Sequence, residues 1–227
     1  MSKQDSISPK AKRKARERSL RRETIIGVAK DIFIEHGYDA TMVEKVATEA
    51  GYTKMTLYNY FESKDDLFIA VVARVYEELF QIMDTYLKQS DVSNDLRSMG
   101  DAYLKFYTMF PEDALLFESS RLGVVISYIK QKEANNEKLT ESEHEFREEL
   151  RLIEDLMTST ISETLKKSGI AGKVDPFSVV MVLSTFAQAI RELVSRGRNA
   201  EDPEKKTKEY LSIFFTIIDQ GLKHFDE

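Results

Sequence analysis

The chain has 227 residues, 42% of them apolar, and 33 Lys/Arg against 39 Asp/Glu give a net charge of −6. That length and apolar share allow one large domain or two small ones with a sizeable core, and only 4 Pro and 9 Gly exclude a collagen-like or low-complexity polymer. Zero Cys excludes a disulfide framework, a thiol nucleophile and a cysteine metal site, and the longest apolar run, Leu67 to Ala73, falls far short of the ~18 residues of a membrane span. The polar start shows no secretory h-region, so the expected location is cytoplasmic, with no membrane partner.

The charge is unevenly placed. Residues 1–64 carry 13 Lys/Arg against 9 Asp/Glu, and residues 1–22 carry 9 against 2, whereas the remainder is strongly acidic. Basic arms on acidic bodies often touch nucleic acid; a solvated, disordered tail is the plainer alternative. Residues 1–18 lack apolar periodicity and are expected to be disordered without a partner.

From there on every patterned segment reads as helix. The spacing predicts nine, at about 20–36, 42–49, 53–60, 64–88, 94–109, 112–130, 141–168, 176–196 and 203–224. Thr41-Met-Val-Glu44 and Thr140-Glu-Ser-Glu143 have the form of capping boxes, and Ser63-Lys-Asp-Asp66 is a weaker one. Asp175-Pro176 and Asp202-Pro203 each pair an N-cap carboxylate with Pro at the first helical position. Gly37, Gly169 and Gly197 stand where helices would end in a left-handed cap.

The informative stretch runs from Thr41 to Lys64. A short helix carrying Val43, Val46 and Ala47 is followed by Ala50-Gly51-Tyr52 and a second short helix with Leu57 and Phe61 on one face. Two short helices joined by a glycine turn form a helix-turn-helix candidate, whose second helix would enter the DNA major groove. Off the Leu57/Phe61 face that helix shows Lys54, Met55, Thr56, Tyr58, Asn59 and Tyr60, an inventory able to meet base edges and phosphates. An ordinary helical hairpin with a polar outer face has the same pattern.

Ile25-Ile26, Ala29, Phe33, Gly37-Tyr38, Thr41, Val46-Ala47 and the run Ala50-Gly-Tyr-Thr-Lys-Met-Thr-Leu-Tyr-Asn-Tyr-Phe-Glu-Ser-Lys64, with Leu67-Phe68, resemble the N-terminal signature of the tetracycline-repressor (TetR) family. The resemblance covers residues ~20–68, with Tyr52 where the family usually has Val. It implies an all-α, nine-helix architecture with an N-terminal helix-turn-helix domain and a larger helical ligand-binding and dimerisation domain. The organisation expected is a disordered basic arm at 1–19, the DNA-binding domain at 20–66 and the larger domain at 67–227. It also implies a homodimeric transcription regulator, a repressor, that binds a palindromic double-stranded DNA operator and is released by a small apolar or aromatic effector. By that resemblance Thr41 contacts a phosphate as well as capping its helix. Thr53, Lys54, Met55 and Thr56 face the groove, with Lys54 on guanine or on a phosphate. Tyr58 and Tyr60 donate to phosphates, Asn59 joins them, and Lys64 receives a phosphate at a helix start that already favours anions.

Helices 176–196 and 203–224 are apolar over more than the face a surface helix buries in its own core. A two-fold dimer, each chain contributing both helices, accounts for that breadth and agrees with the family. Aromatics cluster between Tyr103 and Tyr128; such a stripe fits a core or an apolar ligand lining, and the lining reading takes Tyr103, Phe106, Phe110, Phe117 and Phe186. Glu118 and Arg121 would make a surface i, i+3 pair. Glu145 and Glu148, next to His144, read as a solvated face rather than a metal site. No phosphate loop, nucleophile elbow or catalytic triad is visible, so neither catalytic residue nor cofactor nor metal is expected. A DNA-bound adaptor of the same fold, working without an effector, is the competing reading.

Overall fold

A computed structural model describes residues 8–89, 95–196 and several positions between 205 and 221. Among the described residues up to 196, nine helices follow one another: α1 (Pro9–Ala40), α2 (Val43–Glu49), α3 (Lys54–Tyr58), α4 (Lys64–Gln89), α5 (Asp95–Met109), α6 (Ala114–Glu118), α7 (Ser120–Ala134), α8 (Glu141–Lys167) and α9 (Pro176–Arg196). Among the described residues there is no strand, and the described positions from 205 to 221 are helical. Asp202-Pro203 and Gly197 lie outside the described residues.

Two expectations fail here. α1 starts at Pro9, not near residue 20, so residues 9–19 are helical rather than a disordered arm. The Ser8 hydroxyl accepts from the Ala11 amide at 3.3 Å, Pro9 occupies the first turn, and Lys, Arg and Ala are strong helix formers. Local capping and propensity thus carry a helix that apolar periodicity could not reveal. The single helix expected over 112–130 is two, because Ser119 adopts an extended conformation (φ −64°, ψ 123°) and caps α7 through the Arg121 amide.

The chain forms two compact units. One contains residues 1–74 and 119–146, the other 75–118 and 147–227. In the first, α1 turns Ile25, Ile26, Ala29, Ile32 and Phe33 inward at helical spacing. Val46 and Ala47 of α2, Leu57 of α3, Phe61, and Leu67, Phe68 and Val71 of α4 are buried in the same unit. Each of the Val, Leu, Ile and Phe side chains contributes roughly 1.5–3 kcal/mol on burial, the alanines less. Phe68 meets Phe33 edge-on at 5.3 Å between centroids and Tyr38 at 5.2 Å. α7 and the first turns of α8 belong to this unit too, burying Leu122, Val125, Ile129 and Phe146.

Capping partly follows the sequence. Thr140 and Glu143 form a reciprocal box: the Glu143 amide donates to Thr140 Oγ1 (3.1 Å) and the Thr140 amide to Glu143 Oε2 (2.8 Å). Asp175 caps α9 through the Ser178 amide at 2.9 Å. The Asp66 amide donates to Ser63 Oγ (3.0 Å), and the Glu62 amide to Asp66 Oδ2 (2.9 Å). The Thr41 box does not form: Met42 is the cap of α2 and makes no side-chain cap bond. Gly37 breaks α1 at φ 75°, a conformation that favours glycine, and the Thr41 hydroxyl donates back to the Gly37 carbonyl at 2.7 Å.

In the second unit Ile161 and Leu165 of α8, Ile170 and Val180 of α9 make one buried cluster. Phe106 of α5, fully buried, meets Phe110 and Phe117, both at 5.7 Å, and Phe117 meets Tyr76 at 4.9 Å.

Candidate nucleic-acid interface

Leu57 and Phe61 are fully buried and fasten α3 to its domain. Thr53 caps α3, its hydroxyl accepting from the Thr56 amide at 3.1 Å. Gly51, at φ 78°, makes the turn after α2, and the Tyr52 amide donates to the Ala47 carbonyl at 2.8 Å. With the inner face so anchored, Thr53, Lys54, Met55, Tyr58 and Asn59 are exposed, and Thr56 and Tyr60 are half-buried. Met55 is 76% exposed, an apolar side chain that no core claims. Five of the seven expected residues are thus exposed and two half-buried, around the anchored inner face.

Thr41 is not part of it. It is buried, and its hydroxyl faces the Gly37 carbonyl, so it ends α1 rather than capping the start of α2 and is not open to a phosphate. Lys64 lies half-buried at the start of α4, donating to the Asp39 carbonyl at 3.2 Å, with its ammonium 4.4 Å from the Tyr38 ring centroid.

Lys54 forms an ion pair with Glu44 of α2, which holds the Lys54 pKa above and the Glu44 pKa below their ordinary values. The lysine also sits 5.8 Å from the Tyr58 ring centroid. Its partner is a surface carboxylate, which phosphates can displace.

Three basic residues matter in ways their spacing left unread. Arg22 is buried in line with Ile25, Ile26 and Ala29. It donates to Ser142 (3.2 Å) and Glu145 (3.1 Å) at the start of α8 and lies 5.3 Å from the Phe61 ring centroid. An arginine on the apolar stripe of α1 was the available signal, since a buried cation requires a partner. Glu145 is accordingly no solvated residue. Arg18 pairs with Glu141 at 3.1 Å and lies 5.2 Å from the Tyr60 ring centroid.

Arg121 is the third. The expected Glu118 partner's side chain lies outside the described residues; Arg121 Nε donates to Asp65 Oδ1 at 2.8 Å and its fork closes on Oδ2. The Tyr38 hydroxyl donates to the same carboxylate. Burial raises the Asp65 pKa, but the hydrogen bonds from Arg121 and Tyr38 outweigh it and hold the group below its ordinary value. Burial and the Asp65 carboxylate push the Tyr38 hydroxyl up to about 12. α7 is thereby tied to the first turn of α4.

The aromatic residues expected to line a ligand site divide. Phe106, Phe110 and Phe117 meet in one cluster with Tyr76, and Tyr103 meets Tyr107 at 4.9 Å. Phe186 instead stacks on Phe214 at 3.5 Å.

Residues 25–71 match the family model described as bacterial regulatory proteins, tetR family. Residues 25–71 thus carry the N-terminal, DNA-binding segment of that family's pattern. The HTH-type transcriptional activator FasR of Mycolicibacterium smegmatis is 31% identical over 90 residues, 39% of this chain and 41% of that protein. The chain thus spans about two fifths of that curated relative. Over nearly the whole chain the fold is that of FadR from Bacillus halodurans (TM-score 0.60, 18% identity, covering 92% of this chain and 96% of that one). It is also that of FadR from Bacillus subtilis in complex with stearoyl-CoA (TM-score 0.63, 16% identity, covering 84% and 96%).

Proposed function

We propose that the chain is a ligand-responsive transcription regulator, a repressor rather than an enzyme, acting in the cytoplasm. It binds a palindromic operator as a homodimer, and a small apolar effector releases it. The observation that carries this reading is the exposed face of α3. Lys54, Met55, Thr56, Tyr58 and Asn59 stand on a base made rigid by Leu57 and Phe61. Two such helices meet successive major-groove faces about 34 Å apart.

The apolar effector is supported by the aromatic cluster around Phe106 and Phe117. A long acyl chain is the class we test, since the FadR structure of similar fold holds stearoyl-CoA. The chain itself links the aromatic cluster to the DNA-binding unit: Phe117 stands one residue before the end of one unit's segment at Glu118, and four residues on Arg121 grips Asp65 in the other. A shift of α6 would therefore act on the anchor of α4, favouring a conformer whose half-site spacing no longer fits.

The test combines sequence selection from a random duplex pool with melting and DNA-binding assays in stearoyl-CoA, a fatty acid and an aromatic ligand. A ligand that raises the melting temperature and weakens binding to the selected site is expected, since one population shift links both readouts. Failure of the chain to enrich any duplex would reject the regulator. The adaptor reading draws on Phe106, which is fully buried among other rings as a filled core would be. It wins if the selected site is bound and no ligand alters that binding. A reporter repressed only when this chain is absent would reverse the sign of regulation.

A further inference from the structure

We propose that residues 9–18 of α1 are a second DNA-contacting element, a preformed basic helix that lies along duplex phosphates beside α3. This rests on the regulator reading above.

The helix buries nothing over this stretch: every side chain from Pro9 to Arg21 is exposed. Its cations are largely uncommitted. Arg13 pairs with Glu17 at 3.7 Å and Arg18 with Glu141 at 3.1 Å, while Lys10, Lys12, Lys14, Arg16 and Arg21 make no ion pair among the described residues. No acidic residue stands in the first turn. Positive charge there opposes the helix dipole, and no carboxylate of the turn offsets it. The arrangement is unfavourable in isolation and favourable against a polyanion.

Position selects DNA among polyanions. Arg18 lies over the Tyr60 ring and Arg22 over the Phe61 ring, so α1 leaves its domain directly beside the chain that follows α3. Any duplex that meets Tyr60 also meets the start of this extension. Lys10, Lys14 and Arg21 share one face at i, i+4, i+11, with Lys12 and Arg16 on another. From Lys10 to Arg21 the helix spans about 16 Å, the reach of several phosphates along one strand. Phosphates carry no base identity, so the element adds affinity more than sequence choice.

The experiment is a salt titration of the full chain carrying Lys10→Ala, Lys12→Ala, Lys14→Ala and Arg16→Ala together. The probes are the selected duplex, a scrambled duplex and phosphatidylglycerol vesicles. Alanine keeps the helix and no side chain of this stretch is buried, so the melting temperature serves as the control for folding. Each phosphate contact contributes about −0.9 to the slope of log K against log salt. On both duplexes the slope is expected to flatten by about two to four units per bound chain, with relative preference nearly unchanged. A change below about two units overturns the proposal, as does an effect confined to the vesicles. Ala15→Pro keeps every charge and interrupts the helix; it is expected to weaken binding about tenfold, since Pro in a helix interior costs that much or more. Unchanged affinity in that variant would make the segment a flexible tail and overturn the helical contact. A wild-type chain that selects no duplex fails the regulator reading instead, so the two failures are distinguishable.

Discussion

In the proposed function Glu44 would compete with DNA for Lys54, because the two form an exposed ion pair across α2 and α3. Lys54→Ala is expected to weaken binding to the selected duplex at least about fivefold, the scale of one lost base-edge or phosphate contact. Glu44→Ala is expected to strengthen it severalfold by freeing the ammonium and removing a carboxylate from the phosphates' path. Both should leave the melting curve nearly unchanged, as exposed pairs contribute little to folding. Large unfolding by circular dichroism in Lys54→Ala would mean that the lysine serves the fold. Asp65 behaves differently. Arg121→Ala leaves its carboxylate with one donor fewer at a half-buried site, and a stability loss of about 1–2 kcal/mol in urea unfolding is expected. The pH dependence follows from the shifts. Asp65 is held low when folded, so its contribution is present above the ordinary carboxylate range and lost as pH falls through the folded value. Tyr38 is pushed up to about 12 from 10.0, so its contribution is present below pH 10 and lost as pH rises through 12. Tyr38→Phe should therefore lose the wild type's decline in stability between those two values, which alkaline melting curves would show.

Helix starts and ends carry the joint between α7, α8 and α4. Thr140 caps α8 and donates to Asp66 Oδ1 at 2.5 Å, and Lys132 of α7 pairs with Glu143 at 2.7 Å. Burial lowers the Lys132 pKa, but the Glu143 hydrogen bond outweighs it and leaves the ammonium above its ordinary value. Thr140→Ala removes the cap and leaves buried Asp66 short of a donor, which costs about 1–3 kcal/mol. Chemical denaturation should show that loss, whereas Thr158→Ala, at a mid-helix position of α8, should cost much less. α1 itself should be heterogeneous. Amides of residues 12–18 are held by helix bonds alone and should exchange far faster than those from Ile25 to Phe33, whose side chains are buried. Added duplex should slow the fast set, and equal exchange along the helix would contradict this account of its stability.

At the scale of the molecule, one group of exposed apolar residues lies on the helices that the proposed dimer would cover. Phe177, Met181 and Val182 of α9 are more than half exposed, and so are Ile213 and Ile217 in the last described segment. Phe214 tests the dimer poorly, because it stacks on Phe186 within the same chain and a charge there disturbs both. Ile217, 64% exposed, separates the two effects. Ile217→Glu should leave the monomer folded and bury an unpaired carboxylate in the dimer, dissociating it and weakening duplex binding. Light scattering that finds the wild type monomeric at micromolar concentration would reject the dimer.

Local physics made most of the architecture legible without coordinates. Periodic apolar residues, caps at Ser63, Thr140 and Asp175, and Gly51 between two short helices depend only on near neighbours, and they led to the helices, the turn and the exposed face of α3. Local rules also misled where two of them competed. Thr41 has the form of a cap, yet the break at Gly37 turns its hydroxyl inward. What only the tertiary structure decided is which distant charges meet. Arg22 finds Glu145 and Arg121 finds Asp65 across 123 and 56 residues of chain. No periodicity encodes such pairs, because a long polar side chain reads alike on a solvated face or against a carboxylate brought there by packing. For the same reason α7 looked like part of the larger domain, although burial and ion pairs place it with the helices of the DNA-binding unit.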